Sequence, residues 1–170
     1  MLSTLVKQFD FRMVTIRATN VYGAHQQLYK IIPRTVVSLK TGRKILLHGG
    51  GTAVKSYIHV RDVSRGELAA MEQGRNGYIY HLSPDRGIAV KDMVDIICRL
   101  MGRSFMESTE TVEERPGQDK TYVIDSSRAR REFGWLPTIK LKEGLIGVIQ
   151  WVEENWDEIK CQPLEYIHKM

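Results

Sequence analysis

The run MVTIRA at 13–18 constrains this chain more than any other segment. Its β-branched and apolar residues read as a buried strand, and only one other run, YIYHL at 78–82, reads the same way. Helical patterns lie between and after them, so strands alternate with helices as in an α/β protein. A parallel sheet is covered by helices on both faces and needs more than two members. The chain therefore reads as part of something larger. Unpaired hydrophobic strands invite pairing with another chain, so self-association into a homo-oligomer by strand or helix exchange is expected.

Residues 2–9 read as the end of a helix. A helix is expected over 29–41, with Pro33 in its first turn, where a missing N–H costs nothing, and Gly42 as its stop. Short strands follow at 45–48 and 54–60, joined by Gly49, Gly50 and Gly51. Asp62 is the expected N-cap of a helix over 62–73, which Gly74 ends. Val90, Met93, Val94, Ile97 and Met101 recur at helical spacing before Gly102. Residues 106–124 read as polar and extended, and 126–133 as a short helix before Gly134-Trp135. A last helix over about 141–159 carries Leu141, Leu145, Val148, Val152 and Trp156 on one stripe. From Cys161 onward a loosely held polar tail is expected.

With 170 residues the chain has room for one domain. A content of 42% hydrophobic and 26% charged residues argues against disorder. No apolar run approaches the roughly 20 residues of a membrane-spanning helix, and no secretory signal is evident at the start. Cys98 and Cys161 are isolated thiols without metal-like spacing, which fits a reducing, cytoplasmic setting. A net charge of +5 permits an anionic partner without naming one. Basic residues are not concentrated with aromatics, so no nucleic acid is expected as a partner, and no membrane.

No complete catalytic grouping is present. The cluster Gly49-Gly50-Gly51 joins two strands rather than a strand and a helix, unlike a phosphate loop. The five histidines show no metal spacing, so no metal is expected. A Tyr-x-x-x-Lys pair fails at Tyr29, followed at that offset by Pro33, at Tyr57, followed by Arg61, and at Tyr166, followed by Met170. What remains suits an anion. Arg17 to Gly23 (RATNVYG) leaves a buried strand at its carboxyl end, where ligands bind in open α/β sheets. A plain strand-to-loop turn explains the same residues. Lys55 reads either as a ligand contact or as a solvated charge. Arg115-Pro116-Gly117-Gln118-Asp119 reads as a rigid turn presenting a guanidinium, or as an ordinary surface turn. Trp135 and Trp151 read as core, and Arg128, Arg130 and Arg131 as a solvated face.

Taken in order, five segments carry a resemblance. They are RATNVYG at 17–23, KIIP at 30–33, Gly42 to Asp62 ending KSYIHVRD, YIYHLS at 78–83, and ERPGQDKTYVIDSSRARREFGW at 114–135. EGL at 143–145 and the helix through Trp151 complete it. From about Met13 to Trp156 the chain resembles the C-terminal part of NAD-dependent sugar-nucleotide epimerases and dehydratases. These are extended short-chain dehydrogenase/reductases, and the dTDP-glucose 4,6-dehydratase type is the most similar. The resemblance implies an α/β fold, with a few Rossmann-sheet strands plus a small mixed α/β substrate-binding subdomain. It implies a sugar-nucleotide-binding region over 1–160 and a tail over 161–170, with the N-terminal NAD-binding half absent. In the family that half carries the Tyr-x-x-x-Lys pair, and the C-terminal region binds the nucleotide diphosphate of the substrate. NAD would serve the full-length parent and none would be bound by this chain. The isolated chain is expected to be inactive, the alternative being a non-catalytic nucleotide-binding or assembly module.

Residue by residue, the resemblance places Asn20 at the diphosphate or sugar and Thr19 near the nicotinamide. Lys30, Ile31 and Pro33 would flank the nucleotide. Leu46, Leu47 and His48 would edge the base, and Lys55 and Arg115 would grip phosphates with His81 nearby. Several positions depart from the family pattern. Lys55 stands where Arg is usual, Leu46 and His48 where Pro and Tyr are frequent, His81 where Asn is common, and Gln118 where His is common. The nucleotide and the sugar therefore stay open, as does dehydration against epimerisation.

Overall fold

In the computed structural model of this chain, residues 2–9 and 11–165 are described. Of the expected tail, 166–170 lies outside them. Helix α1 (Leu2–Phe9) precedes β1 (Thr15–Ala18), β2 (Asn20–Tyr22) and α2 (Ile31–Thr41). Then come β3 (Ile45–His48), β4 (Val54–Lys55), β5 (Tyr57–His59) and α3 (Val60–Gln73). Strands β6 (Ile79–Leu82) and β7 (Ile88–Ala89) lead into α4 (Val90–Leu100) and α5 (Phe105–Ser108). The chain continues through β8 (Thr109–Val112), β9 (Thr121–Tyr122), α6 (Ser127–Phe133), α7 (Leu141–Glu154) and α8 (Trp156–Ile159).

The fold is mixed α/β, with strands paired in four small sheets. β1 pairs with β6, β2 with β5, and β3 with β8, all parallel. β4 lies between antiparallel β7 and parallel β9. The first strand changes partner as it runs. After β1, the Thr19 N–H bonds Leu82 O at 3.2 Å, and the next N–H, that of Asn20, bonds Ser56 O at 3.1 Å. The chain thereby leaves one sheet and enters another at Thr19-Asn20.

Two apolar clusters hold these pieces. In the larger, α2, α4 and α7 bury Val36, Met93, Val94, Ile97, Leu145, Val148 and Val152 against Ile45 and Leu47 of β3. Each such side chain contributes about 1.5–3 kcal/mol when fully buried. In the smaller, α3 and α6 cover one face of the β1/β6 pair through Val63, Ala70, Tyr80, Leu82, Ala129 and Trp135. Pro33 sits in the first turn of α2, as expected, and Gly42 ends that helix in the left-handed region (φ 69°).

Four sequence expectations are corrected. The 13–18 and 78–82 runs form strands, but not fully buried ones: Arg17 and Ile79 are exposed, because helices cover only the opposite face. Asp62 is not an N-cap. His59 caps α3 by accepting the Arg61 N–H on Nδ1, and Asp62 is buried three residues after that cap. Residues 106–124 are not simply extended, since α5 and two strands form there. The last helix is interrupted at Asn155, where the backbone leaves helical geometry (φ −111°, ψ 25°).

Candidate functional site

The partner change at Thr19-Asn20 opens a hollow at the carboxyl end of β1. A cavity of about 400 Å³ lies there, lined by Thr19, Asn20, Gln26, Gln27, Lys30, Ile31 and Tyr57. Asn20 Nδ2 donates to Ser56 O at 3.0 Å, leaving Oδ1 and the second amide N–H for a ligand. Thr19 is buried, and its hydroxyl donates to Ser83 Oγ at 3.4 Å, so it forms floor rather than rim. Burial pushes the Tyr57 phenol up to about 12, which keeps it a neutral donor.

A second cavity, of about 590 Å³, adjoins the first through Lys30 and Ile31, which line both. Its wall includes Tyr29, Arg34, Leu46, Leu47, His48, Arg115 and Gln118. Helix α2 supplies Lys30, its N-cap residue, and Arg34 one turn later. Strand β3 supplies Leu46 and His48, which the alternation of a strand places on the side opposite buried Ile45 and Leu47. Arg115 comes from the turn beyond β8. Lys30, Arg34 and Arg115 make the trough electropositive, and Glu165 answers only one of them, at 3.0 Å from Arg34. Guanidinium and ammonium groups around a half-apolar trough suit an oxyanion attached to a flat apolar body.

Of the residues singled out from sequence, Thr19, Asn20, Lys30, Ile31, Leu46, Leu47, His48 and Arg115 lie along this trough. Three do not. Pro33 is buried within α2. Lys55 Nζ donates to Asp119 O at 2.6 Å, outside both cavities. His81 faces a different hollow beside Arg17, Arg128 and Arg131, with Nδ1 3.1 Å from the Asp125 carbonyl oxygen. Arg34 and Tyr57 line the trough and were not singled out. The spacing of Arg34 one helical turn after Lys30 was the available signal for the first. Tyr57 had none, because the pairing of β5 with β2 brings it there. The described residues contain no group of three or more His, Cys, Asp and Glu able to hold a metal. No described helix is long and apolar enough to cross a membrane.

Residues 1–83 match the model of the NAD dependent epimerase/dehydratase family. The dTDP-glucose 4,6-dehydratase of Streptomyces griseus is 34% identical over 139 residues, which are 82% of this chain and 42% of the relative. The chain is thus similar to the NAD dependent epimerase/dehydratase family. A trifunctional UDP-glucose 4,6-dehydratase, 3,5-epimerase and reductase of Arabidopsis thaliana is 28% identical over 90% of this chain and 23% of its own length. Among solved structures, a dTDP-glucose 4,6-dehydratase of Streptomyces venezuelae crystallised with NAD superposes with a TM-score of 0.86. It is 28% identical over 92% of this chain and 48% of that one. The family likeness and the α/β architecture thus agree with the expectations drawn from sequence. The chain spans less than half the length of these relatives.

Proposed function

We propose that this chain is the C-terminal, substrate-binding part of an NAD-dependent nucleotide-sugar 4,6-dehydratase or epimerase, and that it holds the nucleoside diphosphate of the sugar nucleotide. One observation carries this: Asn20, Lys30, Leu46, His48 and Arg115, scattered over 96 positions of sequence, line one continuous trough. In this assignment Lys30 and Arg115 hold the diphosphate oxygens, and Leu46, Ile31 and His48 border the base. Asn20, with a free acceptor and one free donor, meets a sugar hydroxyl. Residues 1–160 form the binding region and 161–170 a tail that touches its rim through Glu165.

The parent's reaction requires NAD, which accepts and returns a hydride when bound. The residues in hand do not make a dinucleotide site. Thr19, the one candidate contact, is buried with its hydroxyl already donated. The sequence also offers no glycine-rich turn between a strand and a helix. This chain's contribution is therefore to bind and orient the nucleotide, not to move hydride or proton, and alone it is inactive.

Isothermal titration with dTDP and UDP tests the assignment. Binding is expected, and at a hundred times Kd either ligand should stabilise the fold by about 2.7 kcal/mol. Arg115→Ala and Lys30→Ala should each weaken binding by about 10- to 100-fold, as loss of a charge-assisted hydrogen bond requires. Binding that both variants leave unchanged would remove the trough from consideration.

A further inference from the structure

The trough holds an anion of its own. Glu165 Oε1 lies 3.0 Å from the Arg34 guanidinium, and both residues line the larger cavity with Lys30 and Arg115. Among the described residues lining it, Glu165 is the only carboxylate. The cations stand where an anion is due. Lys30 is the N-cap of α2, and Arg34 lies one turn on, its N–H bonded to the Lys30 carbonyl oxygen at 2.9 Å. Like charges at that spacing repel, and both sit at the positive end of the helix dipole. The first turn of α2 contains no acidic residue, and no side chain caps it. The compensating charge comes instead from 131 positions further along the chain. Leu164, next to Glu165, packs against the larger apolar cluster, so burial brings the carboxylate to Arg34. The ion pair itself is weakly held. The Glu165 side chain is 78% exposed and that of Arg34 34%, and a pair so open to water contributes little.

We infer that Arg34 is a further phosphate-binding residue of the trough, and that Glu165 occupies it as a stand-in which the diphosphate of a nucleotide displaces. A guanidinium takes a carboxylate or a phosphate through the same N–H donors, so the two anions compete. The diphosphate carries more charge than a carboxylate, and the wall offers it Lys30 and Arg115 as well as Arg34. Glu165 has Arg34 alone as its ion-pair partner among the described residues. Displacement sends an already exposed carboxylate into water and leaves Leu164 packed, so the tail stays tethered beside the site. Apparent affinity for the nucleotide is then lowered by the fraction of molecules in which Glu165 holds the guanidinium. The inference rests on the nucleotide-site assignment above and deepens it by adding a binding residue and an internal competitor.

Titration calorimetry of the full chain with UDP compares the wild type, Glu165→Gln, Arg34→Gln and the double variant. Glu165→Gln is expected to bind UDP about two- to fivefold more tightly, which is the weight of an exposed ion pair. Arg34→Gln should bind about tenfold more weakly, as loss of a charge-assisted hydrogen bond requires. In the double variant the gain from Glu165→Gln should vanish, because no guanidinium is left to compete for. One measurement needs no variant and stands even if Arg34→Gln folds poorly. The carboxyl carbon resonance of Glu165 should move to that of a solvated glutamate as UDP saturates the wild type. UDP binding that is no tighter in Glu165→Gln, or no weaker in a folded Arg34→Gln, would overturn the inference while leaving the nucleotide site intact. A Glu165 resonance that saturating UDP leaves in place would do the same. Absence of UDP binding to the wild type and to Glu165→Gln alike would overturn the site itself, and this inference with it.

Discussion

At the scale of single residues, Asp62 holds more of the molecule together than any other polar side chain described. Its Oδ1 accepts from the Thr138 N–H and hydroxyl, each at 3.1 Å, and from Arg65 at 2.5 Å. Its Oδ2 accepts from the Ile139 N–H at 3.1 Å, and its backbone carbonyl accepts from the Trp135 indole at 2.9 Å. One residue of α3 thereby fixes the loop that launches α7. Sequence pattern suggested a local cap, because an acid ahead of an amphipathic run is a common helix start. A partner 76 positions away leaves no periodic trace. Asp62→Ala strands several donors and should cost about 3 kcal/mol in urea unfolding, with Asp62→Asn losing less. Gly144 is similarly constrained. A Cβ there would sit 2.3 Å from the Tyr22 hydroxyl, so Gly144→Ala should lower stability by about 1–3 kcal/mol.

His59 adds a dependence on pH. Burial lowers its pKa, more than the neighbouring Asp62 raises it. A depressed folded value means that the unfolded chain binds the proton more readily. The native state is therefore favoured fully above the unfolded value of about 6.5, and loses that contribution as pH falls from there through the folded value. His59→Asn keeps an acceptor for the Arg61 N–H without a titrating ring. Urea unfolding between pH 7.5 and 5 should show a shallower decline for the variant than for the wild type.

At the scale of elements, legibility followed the source of each element's stability. Helices α2, α4 and α7 carry their own apolar stripes, and their positions were readable within a few residues. Strand β8, with the sequence TETV, has no comparable pattern. It exists because β3 offers a parallel edge, and that edge is a tertiary fact. The same holds for β9 against β4. The candidate site divided along the same line. Asn20 and Lys30 sit beside strong local signals, a strand end and a helix start. Arg115 was readable only as a turn until β8 placed it at the trough. Lys55 shows the converse, for a charge suited to phosphate is held instead by the Asp119 carbonyl. Hydrogen exchange should reflect this hierarchy. Amides of α4 and α7 should be the most protected, and those of β8 and β9 should exchange with the local openings of the sheet edges.

At the scale of the whole molecule, the β1/β6 pair stands out. Two parallel strands are too few for independent stability, and one face of this pair carries exposed Ile79 beside Tyr78. We expect the chain to self-associate through this face. Sedimentation velocity over a hundredfold concentration range should show a rising average mass, whereas a concentration-independent monomer would contradict it. The proposed nucleotide trough is lined by Thr19 just beyond β1, by β2, β3 and Tyr57 of β5, by the start of α2 and by the turn after β8.

The central claim is that this trough holds a nucleoside diphosphate, and an amide chemical-shift titration with UDP tests it most directly. The account predicts that the perturbed amides cluster at 19–31, at 45–48 and around Arg115 to Gln118. Perturbations centred instead on the hollow of His25, His59 and Trp151, or on that of Arg17, His81 and Arg131, would contradict it.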